Sequence, residues 1–307
     1  MTIKVNEIES NIVCVTIDDA GTRNALDEVS FRQLAALWPQ LDSSNCRAVI
    51  VTGANNAFSS GANLAANLTA LPDIDDLVAA ALMKEQGIRK PVIAAIDGAC
   101  VAGGFELALA CDIRLCSHEA CFGLPEVRWG IFPSGGGARR LAAEIGYSAA
   151  AELLLTGRLF GPEEARALGL INRVVSREQL MQEALAKARA ITANSPVAVQ
   201  AVKSYVARAR NVAPDLACME ARLTQSVRSS EDAAEGRRAF LAKESPRYSA
   251  GRQIGALSLA LIICRGWPQA LVRDALQASY SFMLAAVAGY SPTSERPRAI
   301  SPSANSS

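Results

Sequence analysis

Histidine is almost missing from this chain: His118 is the only one in 307 residues. A histidine-based triad would hang on that residue alone, and no serine stands in a nucleophile-elbow pattern. Aromatic residues are scarce at 5%, which argues against a base-stacking platform. Neither sign of charge dominates: 31 basic and 30 acidic residues leave a formal net charge of +1. No global field therefore points to nucleic acid or to an acidic membrane surface. The apolar run Ile254–Cys264 has eleven residues, short of the ~20 that span a bilayer. No P-loop and no strand-linked GxGxxG is present, so no separate nucleotide cofactor is expected. The eight cysteines form no CxxC pair and sit mostly in apolar runs, which reads as reduced, buried thiols in a cytoplasmic protein. Cys111, Cys116 and Cys121 are spaced by five around His118, a spacing that does not suit zinc, so no metal is expected. The opening residues are not Arg-rich and carry no signal peptide, which again favours the cytoplasm.

The composition that remains is that of a globular enzyme: half the residues are hydrophobic and a fifth charged. Residues Asn11–Asp18 alternate and are β-branched, as in a strand. Arg47–Thr52 and Pro91–Asp97 are short, nearly continuous apolar runs, the mark of strands buried on both faces. Asp112–Ser117 reads as a further strand and Ala120–Gly123 as a short one. Between them, Asp27 caps a helix expected to be interrupted at Pro39, residues 65–90 read as mostly helical with a break near Pro72, and Glu106–Cys111 reads as a helix. Strands alternating with helices predict parallel pairing in an α/β domain. After Gly135 short helices follow, then a strand-like return over Leu170–Val175 and a longer helix opened by a capping box at Ser176. Further helices are expected over Asp215–Val227 and Ser230–Lys243. The organisation predicted is a core over 1–195, a helical region over 196–252, and an extension over 253–307. Its Ser- and Pro-rich end is expected to be disordered.

The stretch Asp97–Gly137 carries the chemistry. Ala102-Gly103-Gly104 is followed by Glu106, and Glu126 leads into Pro133-Ser134-Gly135-Gly136-Gly137. Two carboxylates beside exposed backbone amides could form an acid/base site with a place for an oxyanion. The plainer alternative is that the glycines only turn the chain and the glutamates face water.

A set of short motifs, in order, favours the first reading. They are Arg23-Asn24-Ala25-Leu26, then Ala57-Phe58-Ser59-Ser60-Gly61-Ala62-Asn63-Leu64, and Pro91-Val92-Ile93-Ala94-Ala95-Ile96-Asp97-Gly98. Next come Ala102-Gly103-Gly104-Phe105-Glu106-Leu107-Ala108, Phe122-Gly123-Leu124-Pro125-Glu126, Gly130-Ile131-Phe132-Pro133, and Leu155-Thr156-Gly157. Each is weak alone; order and spacing together are specific. Over residues 3–250 the chain resembles the enoyl-CoA hydratase/isomerase (crotonase) superfamily.

The resemblance implies an α/β crotonase (ClpP-like) fold, a spiral of ββα units with a helical C-terminal region used for trimerisation, and a homotrimer or dimer of trimers. It implies an oxyanion hole from the amides of Ala62 and Gly103, where losing one donor costs on the order of 3 kcal/mol. It implies catalysis by Glu106 and Glu126, and an acyl-CoA thioester held by Ala62, Asn63, Leu64 and Ala65, with Arg23, Phe240 and Lys243 toward the nucleotide. Coenzyme A belongs to the substrate, so no cofactor is required, and neither nucleic acid nor membrane is a partner. The implied activity is hydration of 2-trans-enoyl-CoA to 3-hydroxyacyl-CoA in fatty acid metabolism. The alternatives are an enoyl-CoA isomerase or other crotonase-type acyl-CoA lyase, and a non-catalytic acyl-CoA-binding protein. The family's isomerases commonly keep only the glutamate at the Glu126 position, so the pair favours hydration. Three departures stand out: Asn63 in place of aspartate, Ala102 in place of a first glycine, and Gly137-Ala138-Arg139-Arg140 in place of the usual small-polar pair before Arg-Leu.

Overall fold

Alternation and β-branching place Thr2–Glu9 (β1) and Ile12–Asp18 (β2) in an antiparallel hairpin. Asn11 turns it at φ 67°, a left-handed conformation that asparagine tolerates. The computed structural model describes residues 2–66, 68–85, 87–210, 224–225 and 227–247. The apolar runs become Ala48–Gly53 (β3), Val92–Ile96 (β5) and Ile113–Ser117 (β7), with Arg173–Val175 (β9) at the edge. They extend the hairpin in the order β1-β2-β3-β5-β7-β9, parallel from β2 onward. A second parallel sheet joins Ala57–Ser59 (β4), Ala99–Val101 (β6) and Cys121–Gly123 (β8) in that order. Each turn of the chain thus gives one strand to the large sheet and the next to the small sheet, then a helix. This is the expected ββα spiral.

The runs are apolar throughout because both faces of the large sheet are covered. Val15, Val49, Val51, Val92 and Ala94 point into the main core. Their neighbours Cys14, Ile50, Ile93 and Ala95 point the other way, against Leu180, Ala184 and Ala188 of the helix Arg177–Thr192. Helix α1 (Glu28–Ser43) starts at Asp27, whose carboxylate accepts from the Ser30 amide at 2.9 Å. It runs through Pro39, so the expected interruption is absent. Trp38 and Leu41 are buried on either side of the proline, and the Trp38 indole donates to the Ala81 carbonyl at 2.7 Å. Those contacts outweigh the one missing backbone bond.

The reading of 65–90 as mostly helical is corrected. A 3-10 turn at Leu68–Ala70 precedes α2 (Ile74–Ala81), which ends where Met83 turns to φ 51°. Helix α3 is Gly103–Ala110, and α4 (Gly137–Ile145), α5 (Tyr147–Thr156) and α6 (Pro162–Ala167) follow. The return at Leu170–Val175 is strand only from Arg173, because the buried Arg114 guanidinium takes the Leu170 carbonyl at 2.6 Å. Ser176 begins α7 (Arg177–Thr192), but its hydroxyl meets the Glu178 carboxylate rather than a helix amide, so no capping box forms. Helix α8 is Pro196–Arg210, and α9 (Glu231–Ala242) has Ser230 as its cap. Most of the helix expected at 215–227, and all of the extension 253–307, lie outside the described residues. The described residues all fall within the unit Met1–Arg252.

Candidate active site

Asn24 assembles the first loop. It is fully buried at φ 61°, and its amide donates to the carbonyls of Ala54 (2.8 Å) and Ala57 (2.6 Å). Its own carbonyl accepts the Ser59 hydroxyl at 2.8 Å. Leu26 then bridges the loop from both sides: its amide donates to Gly61 at 2.7 Å and its carbonyl accepts from Asn63 at 2.8 Å. Gly61, at φ 85°, lies directly on the start of α3. A methyl group there would stand 2.6 Å from the Ala102 Cβ and 3.1 Å from the Gly103 nitrogen. Gly104 packs as closely on Ser59, where an added carbon would stand 2.6 Å from the Ser59 carbonyl oxygen.

These two tight contacts bring the Ala62 and Gly103 amides side by side at one cavity. Among the described residues neither amide donates to a protein acceptor. Gly103 is the first residue of α3, so the positive end of that helix adds to its field. Ala102 caps the helix at φ 49°, ψ −128°, held by its amide to the Gly123 carbonyl and by its carbonyl to the Glu106 amide, both 2.9 Å. Phe105, Phe122 and Phe160 fasten α3 to β8 in a cluster with ring centroids 5.5–5.9 Å apart.

The two glutamates are both buried, which removes the reading in which they face water. Glu106 Oε1 accepts the Gly137 amide at 2.8 Å, so its carboxylate lies at the N-terminus of α4, a position that suits an anion. The glycine run is what leaves it room. A methyl at Gly135 would stand 2.7 Å from Glu106 Oε2, and one at Gly137 would stand 2.7 Å from its Cγ. Glu126 sits on a 3-10 turn, Pro125–Trp129. Its Oε2 is buried with no hydrogen-bond partner among the described residues. Burial first, and then the Glu106 charge, push its carboxyl well above the ordinary range.

Glu106 and Glu126 line the cavity with Ala62 and Gly103; its volume is about 450 Å³. Arg23, Asn63, Leu64 and Phe240 line it too. Ala65 and Lys243 are not among the lining residues. The Ala65 amide is held by the Asn63 side chain at 3.0 Å, and Lys243 caps the end of α9, exposed. Residues outside the quoted motifs complete the wall, among them Phe31, Val78, Leu82 and Trp129, together with Phe132 and Ser134 from within them. Trp129 lies three residues after Glu126 and meets the Phe240 ring edge-on at 5.2 Å, which ties the Glu126 turn to α9. The role of Gly137 as the partner of Glu106 had one visible signal, the glycine run itself. Elsewhere, burial pushes the Cys111 and Cys116 thiols up to about 12. Among the described residues no cluster of His, Cys, Asp or Glu could hold a metal ion, and no helix is long and apolar enough to cross a membrane.

The parallel ββα spiral around a cavity with two carboxyls is the crotonase fold, and it defines an α/β enzyme of the acid/base class. The profile of the enoyl-CoA hydratase/isomerase family matches residues 7–251, and the chain belongs to that family. It is similar to an enoyl-CoA hydratase of Mycobacterium tuberculosis, with 36% identity over 79% of this chain and 94% of the relative. It is 33% identical to a mevalonyl-coenzyme A hydratase of Aspergillus fumigatus, over 78% of this chain and 91% of the relative. A crystal structure of a carnitinyl-CoA hydratase from Mycobacterium avium superposes with a TM-score of 0.74 at 32% identity, covering 81% of this chain and 98% of the other. The chain is an enzyme of the enoyl-CoA hydratase type.

Proposed function

We propose that the protein adds water across 2-trans-enoyl-CoA to give 3-hydroxyacyl-CoA, with Ala62 and Gly103 as oxyanion donors and Glu106 and Glu126 as a divided acid/base pair. The observation that carries this is the inequality of the two carboxyls. Glu106, anchored on a helix N-terminus, accepts a proton from the attacking water as its oxygen bonds to C3. Glu126, buried and with its Oε2 unpartnered among the described residues, holds the proton that goes to C2. Negative charge accumulates on the thioester oxygen between these steps, where the two free amides would meet it. The proton then returns from Glu106 to Glu126 and the cycle closes. No separate cofactor enters, because coenzyme A is carried by the substrate; Arg23 and Phe240 would meet its polar end.

The acyl group is the finer question. The relatives named above are hydratases of different CoA thioesters, and the wall of Phe31, Val78, Leu82 and Phe132 sets which one fits here. A homotrimer or dimer of trimers and a place in fatty acid metabolism belong to the same proposal and rest on the family resemblance; a cytoplasmic location belongs to it too and rests on the cysteines' apolar surroundings. The test is loss of the conjugated enoyl-thioester absorbance with short and branched 2-enoyl-CoA substrates. Wild-type activity in Glu126→Gln would overturn it. Glu106→Gln separates hydration, which needs both carboxyls, from double-bond isomerisation, which needs only Glu126.

A further inference from the structure

The anchoring of Glu106 depends on a loop that has no regular structure of its own. Residues 133–136 carry no helix or strand, yet the amide at their end must meet Glu106 Oε1 at 2.8 Å. A buried arginine on the first turn of α4 accounts for the fit. Arg140 Nη1 donates to the Gly135 carbonyl at 3.3 Å. Its Nη2 donates to the carbonyls of Met83 and of Lys84, the latter at 3.0 Å. One guanidinium therefore joins the glycine loop, the start of α4 and the turn that follows α2. Gly136 is pressed between the same partners. A methyl there would stand 3.2 Å from Arg140 Nη1 and 3.3 Å from the Lys84 Cγ. Leu82, at the head of that turn, lines the cavity, and its Cδ1 would stand 2.5 Å from a methyl at Gly135.

The geometry points to Arg140 as a positioning residue, one that holds the glycine loop on the Met83–Lys84 turn so that the Gly137 amide meets Glu106. The importance of Glu106 rests on the hydratase reading, and the rest on the hydrogen bonds of Arg140. A buried guanidinium is costly unless its donors are satisfied. Here its fork spans carbonyls from two segments, which a lysine ammonium on a flexible stem cannot reproduce. Arg139 takes the Lys84 carbonyl at 3.0 Å and lies 4.0 Å from the Glu85 carboxylate, so it braces the turn without being part of the fork.

The experiment is Arg140→Lys, with Arg140→Gln as the second variant, each in the wild-type and Glu106→Gln backgrounds. Two readouts are taken: hydration kinetics and amide hydrogen exchange over residues 133–138. A displacement of the Glu106 anchor should lower kcat about tenfold to a hundredfold, with KM within about threefold. In the Glu106→Gln background the same change should cost less than about threefold, because the two residues act as one unit. Exchange over 133–138 should rise about tenfold or more, whatever the substrate proves to be. Unchanged exchange in both variants overturns the inference. So does a loss of kcat that is equally large without the Glu106 carboxylate. A wild-type enzyme that hydrates no enoyl-CoA overturns the function instead, and the exchange measurement still decides the role of Arg140.

Discussion

Gly61→Ala tests the contact on which the amide pair depends. Two costs can be worked out. Alanine at φ 85° is strained by about 1–2 kcal/mol. The added carbon also stands 2.6 Å from the Ala102 Cβ, where ordinary contact begins at 3.4 Å. The two segments must therefore part by about 0.8 Å (3.4 − 2.6). That displacement moves the Gly103 amide away from Ala62. If it removes one donor from the developing oxyanion, the barrier rises by about 3 kcal/mol, roughly a hundredfold in kcat. Total destabilisation of about 2–3 kcal/mol should appear as a fall in Tm of about 4–10 °C for a chain of this size. The decisive arm is the double variant Gly61→Ala with Ala102→Gly. Removing the Ala102 methyl relieves the clash and the strain of a left-handed alanine at 102 (φ 49°), which offsets the strain left at residue 61. Activity and Tm should therefore both recover most of their loss. Steady-state hydration kinetics and calorimetry on the wild type and the two variants measure both. Wild-type kcat in Gly61→Ala would refute the amide pair. Equal loss in the single and double variants would refute the contact between the loops.

Glu126→Gln should lower kcat by about 10²–10⁴-fold. In the wild type, Glu126 is raised in the folded state by burial and by Glu106, so the native protein holds a proton that the unfolded chain releases. Stability is full below the ordinary glutamate range and is lost as pH rises toward the raised value. Glu126→Gln should therefore raise Tm more at about pH 9 than at about pH 5, and wild-type hydration should fall on the alkaline side as the acid is lost. A flat Tm difference across that range would contradict the assignment. Gly137→Ala should cost activity through Glu106, whose Cγ lies 2.7 Å from the new methyl, and a kcat within about twofold of wild type would count against the anchor. Cys111 and Cys116, with thiols at about 12, should resist iodoacetamide at neutral pH in the native protein and react once it is denatured.

The spiral was legible because its strands are buried on both faces. Continuous runs such as Ala48–Gly53 and Val92–Ile96 carry that signal without tertiary information. Where the reading failed, a distant partner had overridden a local preference. Pro39 should break α1, but Trp38 reaches the Ala81 carbonyl and the helix continues. Residues 82–85 have helical composition, yet the carbonyls of Met83 and Lys84 go to Arg140 and the helix stops. Ser176 and Gln179 have the spacing of a capping box, but the Ser176 hydroxyl meets the Glu178 carboxylate instead. None of these outcomes follows from periodicity, since each depends on a side chain or carbonyl far away or on a choice between two local bonds.

The two glutamates show where such legibility ends for the site. In the sequence Glu106 and Glu126 are equivalent candidates, twenty residues apart and each near a glycine-rich turn. Their difference comes from what the fold delivers to each one. α3 delivers Glu106 to the first amide of α4, a donor that suits its charge. The 3-10 turn delivers Glu126 into the same cavity with one oxygen buried and no donor to meet it. The charge on the first then raises the proton affinity of the second. Two carboxyls of unequal proton affinity are thus made from the same residue type by position alone, and the proposed donor and acceptor roles use that inequality. The assignment of roles therefore rests on Gly137, Gly135 and Arg140, which touch Glu106 or hold its loop, as much as on the glutamates themselves.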